Sequence, residues 1–236
     1  MSNGYFRFKQ FTIHQDRCAM KVSTDACILG AWVDPDGACK RILDIGTGTG
    51  LLALMLAQKT GAVIDAVELD SDAAEQANEN VDESPWKDRV NIIQSDVVGY
   101  NFQHKYDMII TNPPFFNNSL LGPAEDRNRA RHTTTLNYQQ LLDVIKDNIA
   151  DDGEAAILLP VAEFSVWEEL LAAHNWQVVK QLNIHPRTGQ AANRVVAVCI
   201  PGLGKQVEVH ELYIRSAGNE YTDEFSALMH PYYLDK

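Results

Sequence analysis

The sequence predicts an α/β fold: a doubly wound, mostly parallel sheet of seven strands with one antiparallel terminal hairpin. Three observations predict it. From residue 41 onward, short apolar runs alternate with helix-length segments, the pattern of successive βαβ units. The first run, Arg41-Ile42-Leu43-Asp44-Ile45, leads straight into Gly46-Thr47-Gly48-Thr49-Gly50. Such a turn lets the backbone bend tightly and a ligand come close as a helix begins. The runs at 177–185 and 194–200 are joined only by Pro186 to Asn193. That connection is too short for a crossover helix, so the two strands must be antiparallel.

The elements follow in order. Residues 1–40 form an N-terminal extension with two or more short elements, and residues 41–236 form the main body of a single domain. Strands are expected at 41–45, 62–68, 90–94, 106–111, 154–159, 177–185 and 194–200. Helices are expected near 50–59, 71–83, 137–150 and 162–174. The tail Val207 to Ile214 alternates and is a candidate for one further strand. Tyr221-Thr222-Asp223-Glu224 opens a short helix with Thr222 as its N-cap. The one long irregular stretch is 116–136, and long loops in compact domains are often functional.

Composition narrows the function. The chain has 236 residues with 45% apolar content, enough to bury one sizeable core and too apolar for disorder. No run is long enough to span a bilayer, and the N-terminus lacks an apolar signal core. Four cysteines (Cys18, Cys27, Cys39, Cys199) show no metal spacing and are expected as reduced thiols of a cytoplasmic protein. The seven histidines show no ligand spacing, so no metal is expected. Net charge is −12, which argues against broad nonspecific binding to nucleic acid. Local basic clusters remain: Arg127, Arg129, Arg131 and His132 in the irregular stretch, and Arg7, Lys9, Arg17 and Lys21 near the N-terminus. Ordinary solvated charge is an equally good reading of each.

Two motifs carry chemistry. The glycine turn has the spacing G-x-G-x-G; position 51 is leucine, so the third glycine of the dinucleotide fingerprint is missing. Asp44 before the turn suits a cationic ligand, such as the ammonium and sulfonium of S-adenosylmethionine. Glu68 ends the second strand 18 residues after Gly50, where doubly wound folds place the residue that holds ribose hydroxyls. Asp96 follows the third strand and can accept from an adenine amine, although aspartates are common in turns for local reasons. The second motif is Asn112-Pro113-Pro114-Phe115, at the carboxyl end of the strand 106–111. The Asn112 amide oxygen and the Pro113 carbonyl can accept two hydrogen bonds from a planar NH2 group. Phe115 or Phe116 can stack on the ring that carries it.

Together these motifs resemble the class I amino-methyltransferases, whose sheet is Rossmann-like. A more specific resemblance lies at the N-terminus, in Phe8-Lys9-Gln10-Phe11, Asp16 to Asp25 and Leu29-Gly30-Ala31-Trp32. It extends through Arg127 and Ala130-Arg131 to Tyr221-Thr222 and Tyr233-Leu234. Over essentially the whole chain the sequence is similar to the bacterial methyltransferases that make N6-methyladenosine at adenine 37 of a valine tRNA. The resemblance implies S-adenosylmethionine as cofactor and tRNA as partner. It implies a cofactor site of Lys21, Thr24, Asp44, Gly46, Gly48, Gly50, Glu68, Asp96 and Asn112, with the extension folded over it. Asn112, Pro113 and Phe115 are the expected catalytic group. Phe115, Phe116, Arg127, Arg129 and Arg131 are the expected substrate contacts. Phe115-Phe116 departs from the tyrosines expected in the family; stacking survives that change, a hydroxyl contact does not.

Three rivals have discriminating features. A glutamine N5-methyltransferase acting on a protein uses the same Asn-Pro-Pro grip but carries a helical domain before the glycine turn. Here 43 residues precede Asp44. A DNA adenine methyltransferase needs a larger recognition insert than 116–136. A non-catalytic cofactor-binding subunit is expected to have a decayed Asn-Pro-Pro motif.

Overall fold

A computed structural model describes residues 4–114 and 136–234. The extension folds as a hairpin, β1 (Tyr5–Arg7) and β2 (Thr12–His14), followed by α1 (Thr24–Trp32). The main body runs β3 (Arg41–Ile45), α2 (Leu51–Lys59), β4 (Val63–Glu68), α3 (Ser71–Asp82), β5 (Val90–Gln94) and β6 (Tyr106–Thr111). It continues with α4 (Tyr138–Asn148), β7 (Ile149–Pro160), α5 (Val161–Ala173), β8 (Trp176–Arg187), β9 (Arg194–Pro201), β10 (Glu208–Arg215) and α6 (Asp223–Met229).

The main sheet has the order β10-β8-β9-β7-β6-β3-β4-β5. Its pairs are parallel except around β9, which runs antiparallel to both β7 and β8. The expected hairpin is therefore present, with its second strand inserted between the first and the rest of the sheet. The sheet has eight strands rather than the expected seven. The extra one is β10, the alternating tail, which adds in parallel to β8. As an edge strand it buries Leu212 and leaves most other positions partly or fully exposed.

Both faces of the sheet are covered, because neighbouring residues point to opposite sides. Ile42, Ile64, Met108, Ile110, Ala156 and Leu158 join α1, α2 and α6 in one core. Leu43, Ile45, Val67, Ile109, Ile157 and Leu159 join α4 and α5 in the other. Side chains cap several helix starts, Thr222 among them as expected. Asp70 accepts from the Ala73 amide at 2.9 Å, Asn137 and Gln140 form a capping box before α4, and Thr222 accepts from Phe225 at 3.1 Å.

The hairpin β1–β2 packs by aromatic contact. Phe8 stacks on Phe11 at 4.5 Å, and Phe11 meets the edge of Trp86 at 5.7 Å. Asn80 of α3, which is buried, ties the hairpin to the glycine turn. Its Oδ1 accepts from the His14 amide at 2.8 Å, and its Nδ2 donates to the carbonyls of His14 and Thr49, each at 2.9 Å. Cys18, Cys27 and Cys199 are buried, Cys39 is partly buried, and all four thiols are free. Burial pushes Cys27 and Cys199 up to about 12. Among the described residues, no helix is long and apolar enough to cross a membrane.

Replacing Asn80 with leucine leaves three backbone groups, one buried and two partly buried, without their partner. The expected loss is about 2–3 kcal/mol of stability, a fall in Tm of roughly 5–10 °C. Thermal melting of the variant beside wild type measures it; an unchanged Tm would mean that water replaces Asn80 without loss.

Candidate active site at the sheet switch point

Strand order reverses between β3 and β6, since the chain winds outward from β3 to β4 and β5 on one side and from β6 to β7 on the other. Open α/β sheets bind ligands outside the carboxyl ends of the strands at such a point. The register fixes which residues meet there. Ile45 is level with Val67 of β4 and with Thr111 of β6, and Glu68 is level with Gln94 of β5. The next residues out are Gly46, Glu68, Gln94 and Asn112. Thr111 reinforces the junction by donating its hydroxyl to the Ile45 carbonyl at 2.9 Å.

The glycine turn has Gly46, Gly48 and Gly50 at φ values of 71°, 56° and 80°, a region that residues with a Cβ avoid. A Cβ at Gly46 or Gly48 would meet nothing within 4 Å. These two glycines are therefore needed for backbone shape and open approach. The Gly46 and Thr47 amides both donate to the Val67 carbonyl, at 2.9 and 3.0 Å. Gly50 caps α2 without a side-chain acceptor, so part of the first turn of that helix keeps amides for a ligand.

Asp44 lies beneath the turn, fully buried. Its Oδ2 accepts from the Thr47 hydroxyl at 2.6 Å, while Oδ1 has no hydrogen-bond partner of normal geometry. Burial pushes its carboxyl up to about 7, although the Thr47 hydroxyl and the Ala53 amide pull it back down. Glu68 spans two backbone amides: Oε2 accepts from Gly48 at 2.8 Å and Oε1 from Asp70 at 3.0 Å. Asp96 is exposed, and its Oδ1 accepts from the Val98 amide at 2.9 Å, a local turn contact.

Asn112 closes the site from the β6 side. Its Nδ2 faces the Met20 sulfur at 3.9 Å. Its Oδ1 is buried and has no partner, an acceptor that natural proteins rarely leave unmet. Pro113 is buried and Pro114 exposed. Lys21 holds the segment that carries Met20 by donating to the carbonyls of Gln15 and, at 2.8 Å, Cys18. The structure thus gathers Asp44, Gly46, Gly48, Gly50, Glu68, Asn112 and Pro113 at the carboxyl ends of β3, β4 and β6. Thr24 is placed elsewhere, exposed in the first turn of α1, where it lines a separate cleft with Arg187 and Arg215. Phe115, Phe116, Arg127, Arg129 and Arg131 lie outside the described residues.

Sequence reasoning missed two site residues. Thr47 orients Asp44, and its signal is a hydroxyl three residues after the carboxylate. Met20 touches Asn112 across 92 residues, and no local pattern announces that contact.

The arrangement fits a ligand with a cationic end and hydroxyls beside a second ligand that offers an NH2. The family model for the methyltransferase small domain matches residues 23–124. A curated relative from Tolumonas auensis is 43% identical over 236 residues, 99% of this chain and 98% of its own. One from Bacteroides thetaiotaomicron is 40% identical, covering 99% of both chains. Both carry the name tRNA1(Val) (adenine(37)-N6)-methyltransferase. The chain belongs to this family. Solved structures show the fold alone. A predicted O-methyltransferase of Agrobacterium tumefaciens superposes with a TM-score of 0.68 at 19% identity, over 88% of this chain and 96% of its own. A glycopeptide N-methyltransferase complexed with S-adenosyl-L-methionine gives 0.54 at 12%, over 78% and 96%.

Asp44 gives a testable pH dependence. With a folded pKa of about 7 against an unfolded value near 3.9, the native state keeps a proton that the unfolded state loses. That contribution to stability is full below about pH 4 and is lost as pH rises to about 7. Asp44→Asn removes the slope. At pH 8 the variant should be the more stable protein, by up to about 4 kcal/mol for three units at about 1.4 kcal/mol each, with a much smaller gain near pH 5. Melting curves across that range decide it; parallel pH profiles for the two proteins would show that Asp44 is ionised throughout.

Proposed function

We propose that this chain is an S-adenosylmethionine-dependent methyltransferase that methylates the exocyclic N6 of adenine 37 in a valine tRNA. The observation that carries the reading is the buried, unpartnered Oδ1 of Asn112 beside an open glycine turn. The family supports it, and so does an intact Asn-Pro-Pro-Phe sequence.

The residues present fit the cofactor. Asp44 and the Gly46–Gly50 turn would hold its cationic amino-acid end. Glu68, which already orders the Gly48 and Asp70 amides, would take the ribose hydroxyls, and Asp96 the adenine amine. When bound, the cofactor supplies an electrophilic methyl on a sulfonium. Residues 1–40 are read as an extension over this site. The Met20–Asn112 contact supports that role for Lys21, which fixes the segment. Thr24, which lines the separate cleft with Arg187 and Arg215, is left out of this proposal.

Asn112 and Pro113 would position the acceptor. Their oxygens accept from the two N–H bonds of the adenine amine, which favours a more pyramidal nitrogen and aims its lone pair. Much of the rate would come from that positioning. The same oxygens stabilise positive charge as it develops on nitrogen. An amide takes up no proton at neutral pH, so Asn112 acts as a fixed dipole and not as a base. The base must leave its stack to reach this pocket. Stacking on Phe115 or Phe116 would offset part of that cost, at about 1–3 kcal/mol per base. Arg127, Arg129 and Arg131 are proposed as nearby phosphate contacts.

Asn112→Ala should lower kcat by about 10²-fold or more, the loss typical for one preorganised polar group. Cofactor affinity should stay within a few-fold, because Asn112 grips the acceptor. Single-turnover transfer to a valine tRNA transcript, with mass spectrometry of the nucleosides, reads the first. Calorimetry reads the second. A variant that keeps wild-type turnover would remove Asn112 from the mechanism, and methyl found on protein glutamine instead of tRNA would replace the substrate.

A further inference from the structure

A chain of net charge −12 that binds tRNA must present its positive charge locally. Of the N-terminal cations, Arg7 is exposed, Arg17 is neutralised by carboxylates, and Lys9 and Lys21 are tied to backbone carbonyls. Arg17 pairs with Glu75 at 3.0 Å and with Glu79. Lys9 donates to the His230 carbonyl at 2.9 Å, and Lys21 to the carbonyls that hold its own segment.

A different pair of cations is held apart from carboxylates. Arg187 ends β8 and Arg215 ends β10, and the two strands are parallel, with Arg187 level with Arg215. Both side chains bond to one residue, Asn219. Arg187 Nη2 donates to its Oδ1 at 2.7 Å, and Arg215 Nη1 to its carbonyl at 2.7 Å. Asn219 is a non-glycine residue at φ 71°, a conformation that persists only when its surroundings fix it. Arg215 also lies over the Tyr221 ring at 4.4 Å. Among the described residues, neither arginine forms an ion pair. Asp25, beside Thr24, is taken by Arg194 at 3.3 Å, and Glu211 by His185. The two guanidiniums line a cleft of about 380 Å³ with Thr24, Gln190, Asn219 and Tyr221, and no carboxylate lines it. Neutral acceptors fix both cations in place without cancelling their charge.

This cleft opens on the same edge of the sheet as the active site. β8 and β10 run in the direction of β6, because β9 alone is reversed. Three strand steps separate β8 from β6, about 14 Å at about 4.8 Å each. Thr111 is level with Gln181 through Ile157 and Ala197, so Arg187 lies about 17 Å further along the strand than Asn112, and the two are about 22 Å apart. One nucleic-acid strand covers that distance in a handful of nucleotides, at about 3.4 Å per phosphate along a duplex.

We propose that the Arg187–Asn219–Arg215 cleft binds phosphates of the substrate tRNA while the target base occupies the Asn112 pocket. The assignment rests on the tRNA reading of the active site. Phosphate contacts of this kind position the substrate without reading its sequence.

The test compares wild type with Arg187→Gln/Arg215→Gln and Arg187→Lys/Arg215→Lys. Filter binding of a valine tRNA transcript is measured from about 50 to about 200 mM salt, beside methyl transfer, cofactor calorimetry and thermal melting. The glutamine variant should bind tRNA about tenfold or more weakly at low salt. Its salt slope should flatten by about one for each arginine lost. KM for tRNA should rise while kcat at saturating tRNA and cofactor affinity hold. The lysine variant should recover affinity to within a few-fold and restore the slope, since a phosphate accepts either cation as a point charge. A glutamine variant that binds like wild type at every salt overturns the cleft and leaves the active-site reading standing, provided wild type methylates the transcript. Lost binding that lysine fails to rescue, with a fallen Tm, shows a purely structural role and also overturns it. Wild type that neither binds nor methylates tRNA overturns the cleft and the tRNA reading together.

Discussion

The position of β3 between β4 and β6 is the constraint on which the site depends. β3 is registered to both neighbours at Ile45, so three strand ends arrive at one level. The glycine turn, Glu68 and Asn112 sit within reach of one another only because of that register. A slip of one residue in β6 would turn Asn112 to the opposite face and swap Ile109 with Ile110 between the two cores. The Thr111–Ile45 hydrogen bond and the split of β6 between the cores both oppose such a slip. Catalytic geometry here is a by-product of core packing.

That frame supports groups that are poorly satisfied without a ligand. Asp44 is a buried carboxyl with one oxygen unmatched, and Asn112 has a buried acceptor unmatched. Each costs on the order of 1–3 kcal/mol while unpaired. Burial raises Asp44 to about 7, so near neutrality it stands between charged and neutral. A cation beside it would favour the charged form and release a proton on binding. Both acceptors are fixed in place by the fold and remain available to a ligand.

Most of the sheet was legible because β3, β6 and β9 are dense apolar runs buried on both faces, while the more polar β5 and β8 are still bounded by turn residues. The helices α2 to α5 were equally legible as helix-length segments between those strands. Two elements were not. In α1, residues 26 to 31 are all buried, so it shows no polar face and no helical period. β10 is an edge strand with one deeply buried position, Leu212, so its alternation was too weak to decide membership in the sheet. In the site, the placement of Asp44, Gly46, Gly48, Glu68 and Asn112 was legible because it follows from position at or just after a strand end. Thr24 lines a different cleft, and Met20 reaches Asn112 from a segment with no regular structure. Contacts that depend on how an irregular segment lies across a sheet leave no periodic trace.

Charge placement links the fold to the substrate. The chain has only 20 lysines and arginines against 32 acidic residues, and several of those cations cap helices. Lys59 donates to the Ala31 and Val33 carbonyls at the end of α1, and burial there pushes it down to about 8. Arg89 meets the Ala57 carbonyl in the last turn of α2, Lys105 the Asp147 carbonyl of α4, and Lys9 the His230 carbonyl after α6. Cations at helix C-termini match both the unpaired carbonyls and the negative end of the helix dipole. Such positions stabilise the fold and tie each cation to a helix end. Arg187 and Arg215 differ because two cations converge on one residue, Asn219, and because they lie on the edge of the sheet where Asn112 opens. In an acidic protein the surface that meets a polyanion is set less by how many cations there are than by which ones the fold leaves unneutralised.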